Sequence, residues 1–298
     1  MAAMRRWVNA VVAIVIPWCA ACGRFGFGSA DAASDTTATD ASVEPLLYWI
    51  DGGQAIRRMH ADGSGGAIVL TTPATCLADD PVHQQLYWCT TSSIMRAGYD
   101  GTGSAMVTTG SQLFSVAVDG AAGHVYWAQY FVGIFRADLD GANAVNINAP
   151  GSGWRDLALS ADHTRLYYSG VIGADRISYL STTGSEPNGD VFVAATSGIV
   201  NPDQIQVDEQ SRLYWADSQS GSQKIQRVNA DGTQALDLVA LPAPVNAVGG
   251  LAYNAVSQRV FWSNGGNEIL AVGVDGGAYE SIPFGTGMPK DLLFIAAP

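Results

Sequence analysis

Basic residues are scarce in this chain of 298 residues: 15 Lys and Arg stand against 27 Asp and Glu, and Lys224 and Lys290 are the only lysines. The formal charge of −12 leaves too few cations to displace the counterions of a phosphate backbone, which excludes a nucleic-acid binder. It also disfavours adsorption of the folded body to anionic lipid. Histidine is limited to 4 residues and cysteine to 4, so metal and thiol chemistry have little to draw on. Segments with helical periodicity are missing as well. Gly-x-Ser-x-Gly runs therefore lie at no strand-to-helix elbow and carry no serine-nucleophile reading.

What the chain has instead is repetition. Aromatic pairs close short β-runs at Tyr48-Trp49, Tyr87-Trp88, Tyr126-Trp127, Tyr167-Tyr168, Tyr214-Trp215 and Phe261-Trp262, their second residues 39, 39, 41, 47 and 47 apart. After each pair comes a turn: Asp62-Gly63, Asp100-Gly101, Asp140-Gly141, Thr183-Gly184, Asp231-Gly232 and Asp275-Gly276. We expect these to be two-residue hairpin turns with both residues at φ > 0. Six residues before each turn stands Ile56, Ile94, Ile134, Ile177, Ile225 or Ile269. Two further on come Arg58, Arg96, Arg136 and Arg227, with Tyr179 and Ala271 as departures. Residues two apart share a strand face, so each such strand carries an apolar plug and a cation side by side.

With an upstream apolar run such as Phe114–Asp119, each repeat reads as four short antiparallel strands, A to D from an axis outward. Such units bury their faces only by stacking on neighbours. The first repeat lacks strand A, and Pro289–Ile295 parallels Pro202–Asp208, so the chain end supplies it and closes the ring. The expectation is an all-β, six-bladed β-propeller over residues 45–298 with about 24 strands.

Tyr48-Trp49-Ile50-Asp51 and Tyr214-Trp215-Ala216-Asp217, each followed by Ile-x-Arg and Asp-Gly, resemble the YWTD (class B) repeats of the low-density lipoprotein receptor family. The resemblance implies a six-bladed propeller used as a protein-binding platform or rigid spacer, without catalytic residues or a cofactor. The motif's Asp gives way to Thr90, Gln129, Gly170 and Asn264 in the other repeats, so an Asp–Arg tie between blades is expected only near Asp51 and Asp217.

Met1–Arg6 followed by Trp7–Ala21 has the cationic start and short apolar run of a signal peptide (residues 1–21), too short for an ordinary spanning helix. Cys22, after Ala20-Ala21, resembles the acceptor cysteine of a bacterial lipoprotein, although Cys19 stands where Leu, Val or Ile is usual; simple signal cleavage is the alternative. Residues 22–44 are dominated by Ala, Ser, Thr and Asp and read as a disordered tether. Cys76 and Cys89 flank one A–B hairpin; in an exported protein they are disulfide candidates, with two buried thiols as the alternative.

His83, His124 and His163 fall in A–B turns of successive blades and His60 in a C strand, too far apart for a shared metal or triad. Asp138-Leu139-Asp140-Gly141 lacks the alternating acids and distal Glu of a calcium loop. The enzyme alternative is a calcium-dependent, lactonase-like propeller hydrolase, for which Asp119, Asp208 and Asn254 at the ends of A strands are the available ligands. Those positions equally suit turn residues. Trp154 alone among the mature tryptophans has no repeat position. With Arg155 and the loop residues Tyr130 and Phe131 it forms a candidate ligand-binding patch, composed of the residue types that dominate interfaces. The alternative is that these rings pack the loop onto its neighbour.

The expectation is a lipid-anchored binding or scaffold module with a protein or peptide partner. It would sit at the outer membrane or cell surface and meet the membrane only through its N-terminal lipid. Intact-mass measurement checks the export reading: the mature chain should begin at an acylated Cys22, and any other start refutes lipidation.

Overall fold

In the computed structural model, residues 44–148, 153–170, 176–183, 189–191, 202–217, 223–241, 248–285 and 287–295 are described. The leader 1–21, Cys22 and the tether up to residue 43 lie outside the described residues. Twenty-four strands form six four-stranded antiparallel sheets, a six-bladed β-propeller. In blade 1 the order from the axis is Pro289–Ile295, Leu46–Asp51, Ala55–His60, Ala67–Thr71. The last strand pairs with the first from Leu46↔Ile295 to Asp51↔Pro289, so the ends of the propeller close it as the repeat requires.

The core lies between blades rather than within them. Successive strand residues point to opposite faces, so the aromatic pair serves two junctions at once. Tyr48 packs in one cluster with Trp88, Tyr87 with Trp127, Tyr126 with Tyr168, Tyr167 with Trp215, Tyr214 with Trp262, and Phe261 with Trp49. Each cluster also holds the repeat isoleucine of the first-named blade, from Ile56 to Ile269, and all six are fully buried. The side-chain alternation thus becomes a closed series of shared hydrophobic clusters around the ring.

The turns differ from the two-residue form expected. Gly101 N donates to Gly98 O at 2.8 Å and Gly98 N to Thr102 O at 2.9 Å, which makes a three-residue loop. Only the glycine takes positive φ (88° at Gly63, 84° at Gly101, 87° at Gly141), because this loop is a type I turn plus one left-handed residue. The aspartate serves as an Asx acceptor: Asp100 Oδ1 takes Thr102 N at 2.9 Å and Thr102 Oγ1 at 2.7 Å.

A second demand on the glycine comes from the neighbouring blade. A Cβ on Gly141 would lie 2.0 Å from Val107 O, and one on Gly101 2.5 Å from Val69 O, in each case on the outer strand of the preceding blade. The repeat arginines complete the same junction: Arg96 Nη1 donates to Leu139 O at 3.3 Å and Arg227 Nη1 to Val274 O at 2.8 Å, just before the next blade's Asp-Gly. At these two junctions the tie runs from arginine to the turn itself, to its carbonyl and, for Arg227, also to the Asp275 carboxylate at 2.8 Å. Asp51 instead holds Arg57 of its own blade at 2.6 Å and accepts Met288 N at 3.1 Å. A fixed carbonyl next to a close-packed glycine is a more constant acceptor than a side chain that most blades lack.

Cys76 and Cys89 are register partners and are joined, S–S 2.07 Å. Deleting the last ten residues removes the strand Pro289–Ile295 and exposes an unpaired edge. We expect that truncation to give an insoluble or much less stable protein; an unchanged melting temperature would contradict ring closure.

Candidate functional site

The inner strands start on the face that carries the B–C loops, and four of the six are irregular there. The pairing slips at Phe114, at Arg155-Asp156, at Gln204 and at Asp291. A bulge inserts a residue and re-aims its side chain. Phe114 is thereby turned outward, 41% exposed, with its ring 4.9 Å from Tyr130, which lies 4.2 Å from Phe131. Phe131 is 55% exposed and sits at φ 60° in the turn closed by Val132 N to Gln129 O, an unfavourable conformation for a large residue. Val132, 40% exposed, completes the patch.

Of the four residues expected to form one patch, the structure brings Tyr130 and Phe131 together and separates Trp154 from them. Trp154 is buried in the core between blades 3 and 4, edge-on to Tyr168 at 4.8 Å, and no partner could reach it. Gly170 opposite leaves the space its ring fills. Arg155 turns to Asp203 of the next blade at 3.3 Å. Phe114 takes the third aromatic place; nothing in the residue pattern marks it, because only the bulge separates it from the strand's alternation.

Inside the mouth the bulges deliver carboxylates. Inner strands have no partner on the axis side, so their amide hydrogens need other acceptors. Asp291 Oδ2 accepts Leu77 N at 2.6 Å, and Asp156 Oδ2 accepts Ile205 N at 2.6 Å, each reaching into the next blade. Asp156 Oδ1 also takes Ser115 Oγ at 2.6 Å and Leu157 N at 2.9 Å. Burial pushes Asp156 up to about 6, against the pull of its hydrogen bonds. Burial and the nearby charge of Asp156 raise Asp291 well above the usual carboxylate range. Burial also raises Asp203, with Arg155 opposing. Among the described residues no group of three or more His, Cys, Asp or Glu is placed to hold a metal ion.

The opposite mouth holds the residues considered for an enzyme. Asp119 Oδ1 accepts Ala122 N at 3.0 Å, Asp208 Oδ1 accepts Gln210 N at 3.0 Å and Arg212 N at 2.8 Å, and Asn254 Oδ1 accepts Val256 N at 2.9 Å. Each cements its own A–B turn. His83 and His163 lean on the buried Asp80 and Asp119 at 2.7 and 2.9 Å, in separate turns.

No family model matches the chain, and no curated protein matches it. Solved structures do. TolB from Acinetobacter baumannii superposes with TM-score 0.70 at 12% identity, over 85% of this chain and 67% of that one. A putative TolB from Agrobacterium tumefaciens gives 0.60 at 13%, over 83% and 90%. A gluconolactonase from Xanthomonas campestris gives 0.59 at 18%, over 74% and 82%. The likeness is one of fold. At these identities no site residue carries over to this chain.

The raised carboxylates predict an unusual pH dependence. A carboxyl that holds its proton more tightly when folded stabilises below its unfolded value near 4, and that stabilisation is lost as pH rises through the folded value. For Asp156 the window ends near 6, and Asp291, also raised, acts in the same sense. Asp62, Asp100 and Asp231, lowered by hydrogen bonds in exposed turns, act in the opposite sense. Comparing Asp291→Asn with the parent isolates the first effect: as pH rises from about 4.5 through neutrality the variant should lose less stability than the parent. Parallel melting curves across that range would refute it.

Proposed function

We propose that this chain is an exported, lipid-anchored propeller of the YWTD type that binds a protein or peptide partner at the bacterial envelope. The observation that carries the reading is the exposed aromatic cluster of Phe114, Tyr130, Phe131 and Val132, set on a bulge and a left-handed residue beside the channel mouth. An apolar cluster held out of the core at conformational expense is the feature a binding surface needs and a spacer does not. Clustered aromatic rings are among the residue types that dominate interface hot spots. The propeller meets the membrane only through its N-terminal lipid, at the outer membrane or cell surface. It takes no cofactor in this reading and performs no catalysis.

The test is a pull-down of the tagged mature protein from its own envelope, run side by side with Phe131→Ala. The exposed ring contributes little to the core, so the variant should melt within a few degrees of the parent. Its affinity for a captured partner should fall by about thirtyfold, roughly 2 kcal/mol. Trp154→Ala serves as the contrast and should cost stability, about 3–5 kcal/mol. Equal capture by parent and Phe131→Ala, or calcium-dependent lactone hydrolysis by the purified protein, would overturn the proposal.

A further inference from the structure

The junction between blades 1 and 2 departs from those of blades 2–3 and 5–6. At two other junctions the repeat arginine reaches the carbonyl before the next Asp-Gly, Arg96 at Leu139 and Arg227 at Val274. At this junction the matching carbonyl, Tyr99 O, is taken by the Tyr48 hydroxyl at 3.1 Å. Arg58 is left with one hydrogen bond, to Tyr48 Oη at 3.3 Å, and no ion pair joins it among the described residues. Beside it opens a cavity of about 350 Å³, lined by Leu46, Tyr48, Arg58, His83, Tyr99 and Ile295 among others. That volume is in the range of small-ligand sites.

We propose that this cavity binds a small monoanionic carboxylate with an apolar side group, held by the Arg58 guanidinium. A guanidinium has five donors in a planar fork that matches a carboxylate with two parallel hydrogen bonds, and a half-buried one gains from exclusion of water. Leu46 and Ile295 supply an apolar wall for the side group. A phosphate dianion fits less well, because Asp100 stands at the rim and Asp80 lies behind His83 at 2.7 Å. The carboxylate has two sources, a free N-acyl amino acid or the terminus of a peptide.

Calorimetric titration of the folded chain with N-acetyl-L-leucine, its amide, inorganic phosphate and a leucine-terminated hexapeptide decides the matter. N-acetyl-L-leucine should bind saturably, and its amide and phosphate should bind at least about tenfold more weakly. Binding of the hexapeptide with a free but not an amidated terminus, at higher affinity, would assign the site to peptide ends; equal or weaker binding assigns it to the free acid. Arg58→Gln should weaken binding by at least about tenfold, whereas Arg96→Gln should lower the melting temperature and leave binding unchanged. The proposal fails if nothing saturates by about 10 mM, if Arg58→Gln binds as the parent does, or if binding appears only in a chain ending at Ile295.

Discussion

The burial of an aromatic residue from one blade in the same cluster as an aromatic residue of the next is the packing on which this molecule rests. Because adjacent residues of a strand face opposite ways, a Tyr-Trp pair places one ring in each of two junctions. No blade owns a core: Trp49 shares its cluster with Phe261, and the ring of Phe284 lies edge-on to it at 6.1 Å, both from the far end of the chain. Stability is therefore a property of the closed ring, and the strand Pro289–Ile295 matters beyond its own hydrogen bonds.

The outer half of each junction is governed by backbone rather than by rings. The Asp-Gly turn packs its glycine onto a carbonyl of the preceding blade and, at two junctions, offers a carbonyl of its own to that blade's arginine. Where a tyrosine hydroxyl takes the carbonyl first, as at Tyr99, the arginine is released and a cavity remains. A small difference in which donor reaches one acceptor thus separates a structural tie from an available cation.

At the axis the same shortage of partners has another consequence. Inner strands present amides to the channel, and bulged aspartates accept them across blades at the cost of bringing carboxylates close together. The bulges that position these acids also expel Phe114 and give the B–C face its irregular, aromatic rim. One backbone device yields both the internal cement and the candidate surface.

Fold, strand number, ring closure and the facing of Cys76 and Cys89 were legible in the sequence, because period, alternation and turn chemistry are local and repeat six times. The candidate site was legible only in part. Tyr130 and Phe131 stood out against small, polar sister loops, but Trp154 drew attention for being unrepeated when it was filling the space left by Gly170. Phe114, Asp156, Asp203 and Asp291 gave no comparable signal. Their directions are set by bulges, and a bulge depends on where the neighbouring strand's hydrogen bonds fall rather than on the residues that form it. The sequence by itself determined which residues pack between blades; the tertiary structure alone decided which are turned to the channel and to solvent, since that depends on register across strands distant in the chain.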